Sequence, residues 1–138
     1  MIELTFMMPW LIFLFIGVYD FGFYSYMLIS VQNAARAEAV HNSMSKAAAT
    51  DPDGSGCQIA LSELQFAAYG RSMTGCTAAP LVVTPTLVTG ASSPDGNDAA
   101  KVDVLFTTTF AIPLPGVLPN VSTIHTVAQV RINPVADF

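Results

Sequence analysis

The chain has 138 residues, of which 52% are hydrophobic and only 11% are charged, and its net charge is −5. This length suffices for one modest domain, but the charged fraction is far below the roughly 25% of an average soluble chain, so the excess of apolar residues needs a cause. The five basic residues are scattered and form no basic stripe, which argues against nucleic-acid binding. They are Arg36, Lys46, Arg71, Lys101 and Arg131.

Most of the apolar excess lies in residues 4–31, where Asp20 is the only charged residue. Because about 20 helical residues span the hydrocarbon of a bilayer, this segment predicts a membrane span or burial among copies of itself. It follows the acidic Glu3 rather than a basic region, and it continues directly into helix-forming residues. We therefore expect a retained segment rather than a cleaved signal peptide.

The pattern predicts one long helix over about residues 2–49. Pro9 costs little near a helix start but produces a kink deeper inside. Gly17 and Gly22 weaken a helix in water, yet in a bundle they permit close approach of neighbours. A straight helix of this length measures about 70 Å, so its front half needs burial outside the chain's own domain.

Beyond residue 31 the helix is predicted to be amphipathic, with an apolar stripe rich in alanine. The stripe comprises Val31, Ala34, Ala35, Met44, Ala47 and Ala48. The polar remainder comprises Arg36, Glu38, His41, Asn42 and Lys46. The Pro- and Gly-rich residues 50–56 are expected to end the helix.

A short helix is predicted between Cys57 and Cys76, ending near Gly70. We expect these cysteines to form a disulfide, since they belong to the outer domain of a membrane-anchored protein, although two buried thiols are an alternative. The bond would close a loop of about 20 residues and contribute roughly 3 kcal/mol in the chain-entropy model.

The last third predicts three strands, over residues 81–89, 101–111 and 122–132. The second begins with an alternating pattern and the third alternates throughout. The residues expected on one face are Val102, Val104 and Phe106 in the second strand, and Ile124, Thr126, Ala128, Val130 and Ile132 in the third. Pro85 places the first of them at a sheet edge or splits it. The expected fold class is therefore α+β, with a long N-terminal helix, a short helix and a three-stranded antiparallel sheet that covers the back half of the long helix. We expect residues 1–50 to form the helical part and residues 51–138 a disulfide-stapled, β-rich domain.

Nothing in the sequence predicts catalysis. His41 and His125 have no metal-ligand companions at the usual spacings, and no nucleophile motif or phosphate-binding loop occurs. The acidic loops at 51–56 and 95–98 lack a full calcium ligand set, so we interpret them as a helix stop and a turn. We expect no enzyme activity, no cofactor and no metal.

The carboxylates of Asp20 and Glu3 are the strongest functional signals. A carboxylate in hydrocarbon costs at least about 2.5–3.5 kcal/mol, so it needs a partner or a proton. The nearest basic residue to Asp20 is Arg36, about 24 Å away along a helix. We therefore expect the partner of Asp20 to be another chain, water or a proton, and Glu3 to neutralise a neighbour's terminal amine. Alternatively, both mark the polar edges of a tilted membrane span.

Three motifs in the first 36 residues resemble the TadE-like family of tight-adherence (Tad) pilus proteins. They run from Glu3 to Pro9, from Gly17 to Gly22 and from Gln32 to Arg36. The resemblance implies a precursor that a prepilin peptidase cleaves and a helix anchored in the bacterial inner membrane until pilus assembly. The acidic residue of pilins is usually fifth in the mature chain, whereas here it is third.

The first hypothesis is a structural pilin-like subunit that packs its apolar helix in the core of an extracellular filament. Its partners would be copies of itself, other pilins, the assembly machinery and the prepilin peptidase, and it would move from the inner membrane to the cell surface. The residues predicted to act in assembly are Glu3, Pro9, Gly17, Asp20, Phe21, Gly22 and Arg36. The alternative is a non-polymerising, single-pass membrane protein whose outer domain binds a ligand, with residues 112–121 as the contact surface.

Overall fold

A computed structural model describes residues 2–51, 54–65, 73–93, 95–109, 112 and 121–132, with side chains from Thr5 onward. The helices are α1 (Ile2–Asn42) and α2 (Ser55–Leu64). The strands are β1 (Thr77–Ala78), β2 (Leu81–Val88), β3 (Ala99–Thr108) and β4 (Ser122–Arg131). The predicted α+β class is confirmed, with four strands instead of three because the two-residue β1 adds a short hairpin partner to β2.

α1 runs through Pro9 without interruption but ends at Asn42, earlier than the predicted 49. Serine side chains explain the early end, since they compete with the backbone for hydrogen bonds. The hydroxyl of Ser43 donates to the Val40 carbonyl at 2.6 Å. Ser45 Oγ accepts from the backbone N–H of Ala48 at 3.1 Å, which starts a separate 3₁₀ turn over Ala48–Thr50.

The four strands form one antiparallel sheet in the order β1-β2-β3-β4. The predicted alternation in β3 is confirmed, because Val102, Val104 and Phe106 are buried on one face. Pro85 lies in an unsplit β2 opposite Val102. Since β1 pairs only with Leu81 and Val82 in the described part of the chain, the Pro85 position is a sheet edge, where a missing N–H is tolerated.

The core lies between the inner face of the sheet and a layer made by α1 and α2. α1 crosses β3 and β4, and α2 packs beside it. From α1 the core takes Met27, Val31, Ala34, Ala35 and Ala39, which are all at most 1% exposed. Small alanines on this face allow a close approach of the helix to the sheet, as the predicted alanine stripe required. Met44 and Ala47, by contrast, are exposed and do not belong to the core, because α1 ends at Asn42, before both of them.

Cys57 and Cys76 form the predicted disulfide, with an S–S distance of 2.07 Å. The bond joins the start of α2 to the strand layer, where the Val83 N–H donates to the Cys76 carbonyl at 2.7 Å. By the loop-length argument this crosslink contributes roughly 3 kcal/mol. α2 ends at Leu64, and the predicted end near Gly70 lies outside the described residues.

The acidic turn before β3 has structural partners. Asp98 Oδ1 accepts from the Gly90 N–H at 2.7 Å, and its Oδ2 lies 3.2 Å from Lys46 Nζ. The hydrogen bond from Gly90 and then the Lys46 ammonium hold the pKa of Asp98 below its usual value. Asp95 pairs with Arg131 at 3.3 Å. These contacts fit the interpretation of residues 95–98 as a turn.

Candidate functional site

The first half of α1 carries large apolar side chains that the described part of the chain leaves largely exposed. The extremes are Phe6 at 81% exposed, Trp10 at 74% and Phe15 at 70%. The other exposed large side chains up to Asp20 are Met7, Met8, Leu11, Ile12, Phe13, Leu14, Val18 and Tyr19. Because apolar surface in water costs about 25 cal/mol per Å², this half-helix requires lipid or protein around it. We call residues 5–19 the bare half of α1.

The helix is long and apolar enough to cross a membrane by length and composition. Its most apolar 18-residue window has a mean hydropathy of 1.7, and 6% of that window is buried inside the protein. The core helix of a soluble protein would be mostly buried instead. From Met27 onward α1 packs against the sheet and α2, so the earlier, exposed part of the apolar run 4–31 is the membrane-spanning candidate.

Asp20 lies where the bare half meets the packed half, and it is only 4% exposed. Its Oδ1 accepts a hydrogen bond from the backbone N–H of Ile112 at 3.1 Å. The expectation that Asp20 has no partner within its own chain is therefore wrong. The sequence alone does not indicate this contact, because Ile112 is 92 residues away from Asp20 and only the fold brings the two together. Asp20 Oδ2 is buried without a hydrogen bond from the described residues.

The other predicted assembly residues are not brought together into a pocket. Phe21 is 73% exposed, and the space beside Gly17 and Gly22 is open, with no atom within 4 Å of an added Cβ. Pro9 and Arg36 are also exposed, about 40 Å apart along the helix. Glu3 belongs to α1, but its side chain lies outside the described part. These residues are thus spread along and around one helix, and the described part of the chain does not bring them together.

One exposed line continues from the bare half onto the outward side of the packed half. Its members after Asp20 recur every three or four residues, as one helix face requires. They are Gly22, Tyr26, Ile29, Asn33, Arg36 and Val40. Tyr26, Ile29 and Val40 are 52%, 57% and 52% exposed. We call this line the outer stripe; it faces away from the core residues of α1.

Glu38 and Asn42 were expected on the solvent-exposed side, and this expectation is wrong. They are 0% and 1% exposed, because α2 packs over them. Burial raises the pKa of Glu38 to about 7, and the nearby Asn42 side chain opposes this rise. Neither Glu38 oxygen has hydrogen-bonding geometry with a described residue. The helical pattern of polar and apolar residues in α1 could not reveal that Glu38 and Asn42 are buried. α2 covers a face of α1 that would otherwise be exposed to solvent.

A glycine allows this close packing of α2 on α1. A Cβ at Gly56 would lie 2.6 Å from Asn42 Oδ1 and 3.1 Å from Glu38 Cγ. We expect Gly56→Ala to lower the free energy of unfolding by about 1–3 kcal/mol, because a buried side chain must shift to admit the methyl group. Denaturant unfolding of the detergent-solubilised protein measures this. Ser62→Ala, at an exposed position of α2, is the control and should change stability little. Equal stability of Gly56→Ala and the unaltered protein would contradict the packing.

The first half of α1 is exposed and apolar, and its second half forms part of the core of a small α+β domain. This arrangement defines a small domain with an apolar N-terminal helix that could anchor it in a membrane. The model of the family described as TadE-like protein matches residues 1–39, so the resemblance of the N-terminal segment is confirmed. This match is consistent with a TadE-like Tad pilus protein, and that family is structural and not enzymatic. No curated protein and no solved structure matches the chain.

Proposed function

We propose that this protein is a structural, pilin-like subunit of a Tad pilus that packs its apolar helix in the core of the filament. The observation that carries the proposal is the bare half of α1, continuous with a packed half inside a folded domain. The family match over residues 1–39 supports it, because the match covers this same helix. The bare half is surrounded by lipid before assembly and by the helices of other subunits afterwards.

The driving force for assembly is the burial of the bare half, at about 25 cal/mol per Å² of apolar surface relative to water. A contact between different faces of identical subunits propagates along a filament when its rotation does not close a ring. The proposed partners are copies of this chain, other pilins, the assembly machinery and a prepilin peptidase. The proposed location is the bacterial inner membrane and then the cell surface.

The division into residues 1–50 and 51–138 stays a prediction, as do the assembly roles of the motif residues.

One observation favours the alternative, a permanently anchored protein with a ligand-binding outer domain. An open cleft of about 330 Å³ lies at one end of the sheet. Its lining is largely polar and comprises Ser93, Asp95, Asn97, Ala99, Gln129 and Arg131. In this alternative α1 would never leave the bilayer. The predicted contact loop at 112–121 lies outside the described residues except for Ile112 and Val121.

Shearing of intact cells separates the two functions. The pilus subunit is expected in the sheared fraction as filaments that electron microscopy detects, and mass spectrometry of those filaments identifies the chain and its mature N-terminus. A membrane protein that does not polymerise would stay with the cells. Recovery of the protein only in the membrane fraction, under conditions where the cells produce Tad pili, would contradict the proposed function.

We expect Asp20→Ala to reduce the filament yield at least tenfold while the β-rich domain still folds. The change removes the acceptor for the Ile112 N–H, and a partly buried donor that loses its partner costs about 1–3 kcal/mol. Ile112 would then lose this contact with α1, next to the bare half. Filament yield after shearing is the measurement, and disulfide formation between Cys57 and Cys76 reports folding.

Asp20→Asn is the matched control, since an amide oxygen can still accept from Ile112. It should retain more filaments than Asp20→Ala. Filament yields equal to the unaltered protein in Asp20→Ala would contradict an assembly role for this residue.

A further inference from the structure

We propose that the outer stripe of α1 docks against α2 of a second copy, and that Arg36 of one copy pairs with Glu63 of the other. This inference rests on the proposed function and identifies one specific contact between subunits. It concerns the outward side of the packed half of α1, which the described chain leaves uncovered.

Arg36 is an exposed cation on the outer stripe, where the polar Asn33 precedes it by one turn. Ile29 lies about two turns before it on the outer stripe and Val40 one turn after it, and they are 57% and 52% exposed. Arg36 makes no ion pair with any residue that the structure describes. A protein that docks on this stripe would therefore cover a guanidinium group, which favours a partner that brings a carboxylate.

Glu63 is the matching anion. It is exposed near the C-terminal end of α2 and forms no ion pair within the described part of the chain. The other exposed basic side chains described are already paired, Lys46 with Asp98, Lys101 with Asp103, and Arg131 with Asp95. Arg36 and Glu63 are therefore complementary charges without an ion pair among the described residues, and both lie on the helical side of the fold.

The occupant is a second copy because each chain supplies both members of the pair. In the proposed contact Arg36 of one subunit meets Glu63 of the next, whose own Arg36 remains available for a third. Such a heterologous contact propagates when its rotation does not close a ring. The outer stripe also continues directly from the bare half, which needs neighbouring subunits for its own burial. One neighbouring subunit can thus contact both regions of α1.

Charge exchange tests the pair in cells whose only copy of the protein is the variant. Arg36→Glu and Glu63→Arg should each lower the sheared filament yield about tenfold, since like charges would face each other at every contact. The double variant should restore the yield. Arg131→Glu makes the same change in net charge on the sheet, where Arg131 already pairs with Asp95, and it should leave the yield near normal.

Co-expression of the two single variants distinguishes a pair between subunits from a pair within one chain. In a mixed filament, the glutamate introduced at position 36 of one variant meets the arginine introduced at position 63 of the other at alternate contacts. At the remaining contacts the unaltered Arg36 of the second variant meets the unaltered Glu63 of the first. The mixture should therefore restore filaments only if the pair joins different subunits. Rescue by the double variant without rescue by the mixture would overturn the proposal in favour of an internal pair.

Normal filament yields from both single variants would also overturn the proposal and leave the proposed function intact. Loss of membrane localisation with Arg36→Glu alone would do the same, because it would indicate that Arg36 contacts lipid. If a reversed-charge subunit fails to accumulate, Arg36→Gln and Glu63→Gln replace it. Each should then lower the yield severalfold, and unchanged yields would count against the pair. Absence of filaments from the unaltered protein would instead contradict the proposed function.

Discussion

Leu14→Asp is expected to eliminate both membrane insertion and filament formation. Leu14 lies within the bare half and is 64% exposed, so it contributes nothing to the folded core. Near the middle of a membrane-spanning helix an aspartate costs about 2.5–3.5 kcal/mol, and the favourable contribution of leucine is lost as well. In a filament core the same carboxylate would be buried among apolar helices without a cation. The substitution is therefore unfavourable both in the membrane and in the filament core, and the proposed function requires both environments.

Fractionation of cells into membrane, soluble and sheared material measures the effect. Leu105→Asp is the matched control, since Leu105 is 40% exposed on the outward face of β3 and should tolerate the charge. Leu14→Phe keeps an apolar side chain and should retain insertion. A filament yield from Leu14→Asp similar to that from Leu105→Asp would show that the bare half is not buried in the assembled state.

Glu38→Gln is expected to stabilise the protein at pH 8 and to remove most of its pH dependence between about 4.5 and 7. Glu38 is fully buried in the packed half of α1, outside the apolar run 4–31, and burial raises its pKa from 4.5 to about 7. Below pH 4.5 the carboxyl is protonated in both folded and unfolded states. Between pH 4.5 and 7 only the unfolded chain releases the proton, so the free energy of unfolding falls as the pH rises.

Above pH 7 both states are ionised, and the loss remains at its full value of about 3 kcal/mol, at 1.36 kcal/mol for each pKa unit. A glutamine has nearly the same shape and no charge, so this loss should disappear. Denaturant unfolding of the detergent-solubilised full chain at pH 4.5 and pH 8, followed by circular dichroism, measures it. Glu63→Gln makes the same chemical change at an exposed site and should leave the pH dependence intact. An unchanged pH dependence in Glu38→Gln would refute the buried carboxyl as its cause.

Local patterns predicted most of the elements. The apolar run 4–31 predicted a helix that its own domain cannot bury, and α1 exposes this run as far as Tyr19. Alternation predicted β3 and β4 with the correct inward faces, because a strand's period of two is visible in sequence. The cysteine pair was also predicted correctly. The short β1 was missed, since two residues give no periodic signal.

Contacts between distant segments decided what the sequence could not. Whether Asp20 has a partner depends on where Ile112 comes to lie, and no local pattern contains that information. Glu38 is on the polar side of an amphipathic pattern, but α2 folds over it and buries it. The sequence by itself therefore determined that this chain has an apolar helix in need of lipid or neighbouring subunits. Only the tertiary structure decided which carboxylates are buried and which charges remain free, because burial of a side chain depends on the segments that pack against it and not on its neighbours in the chain.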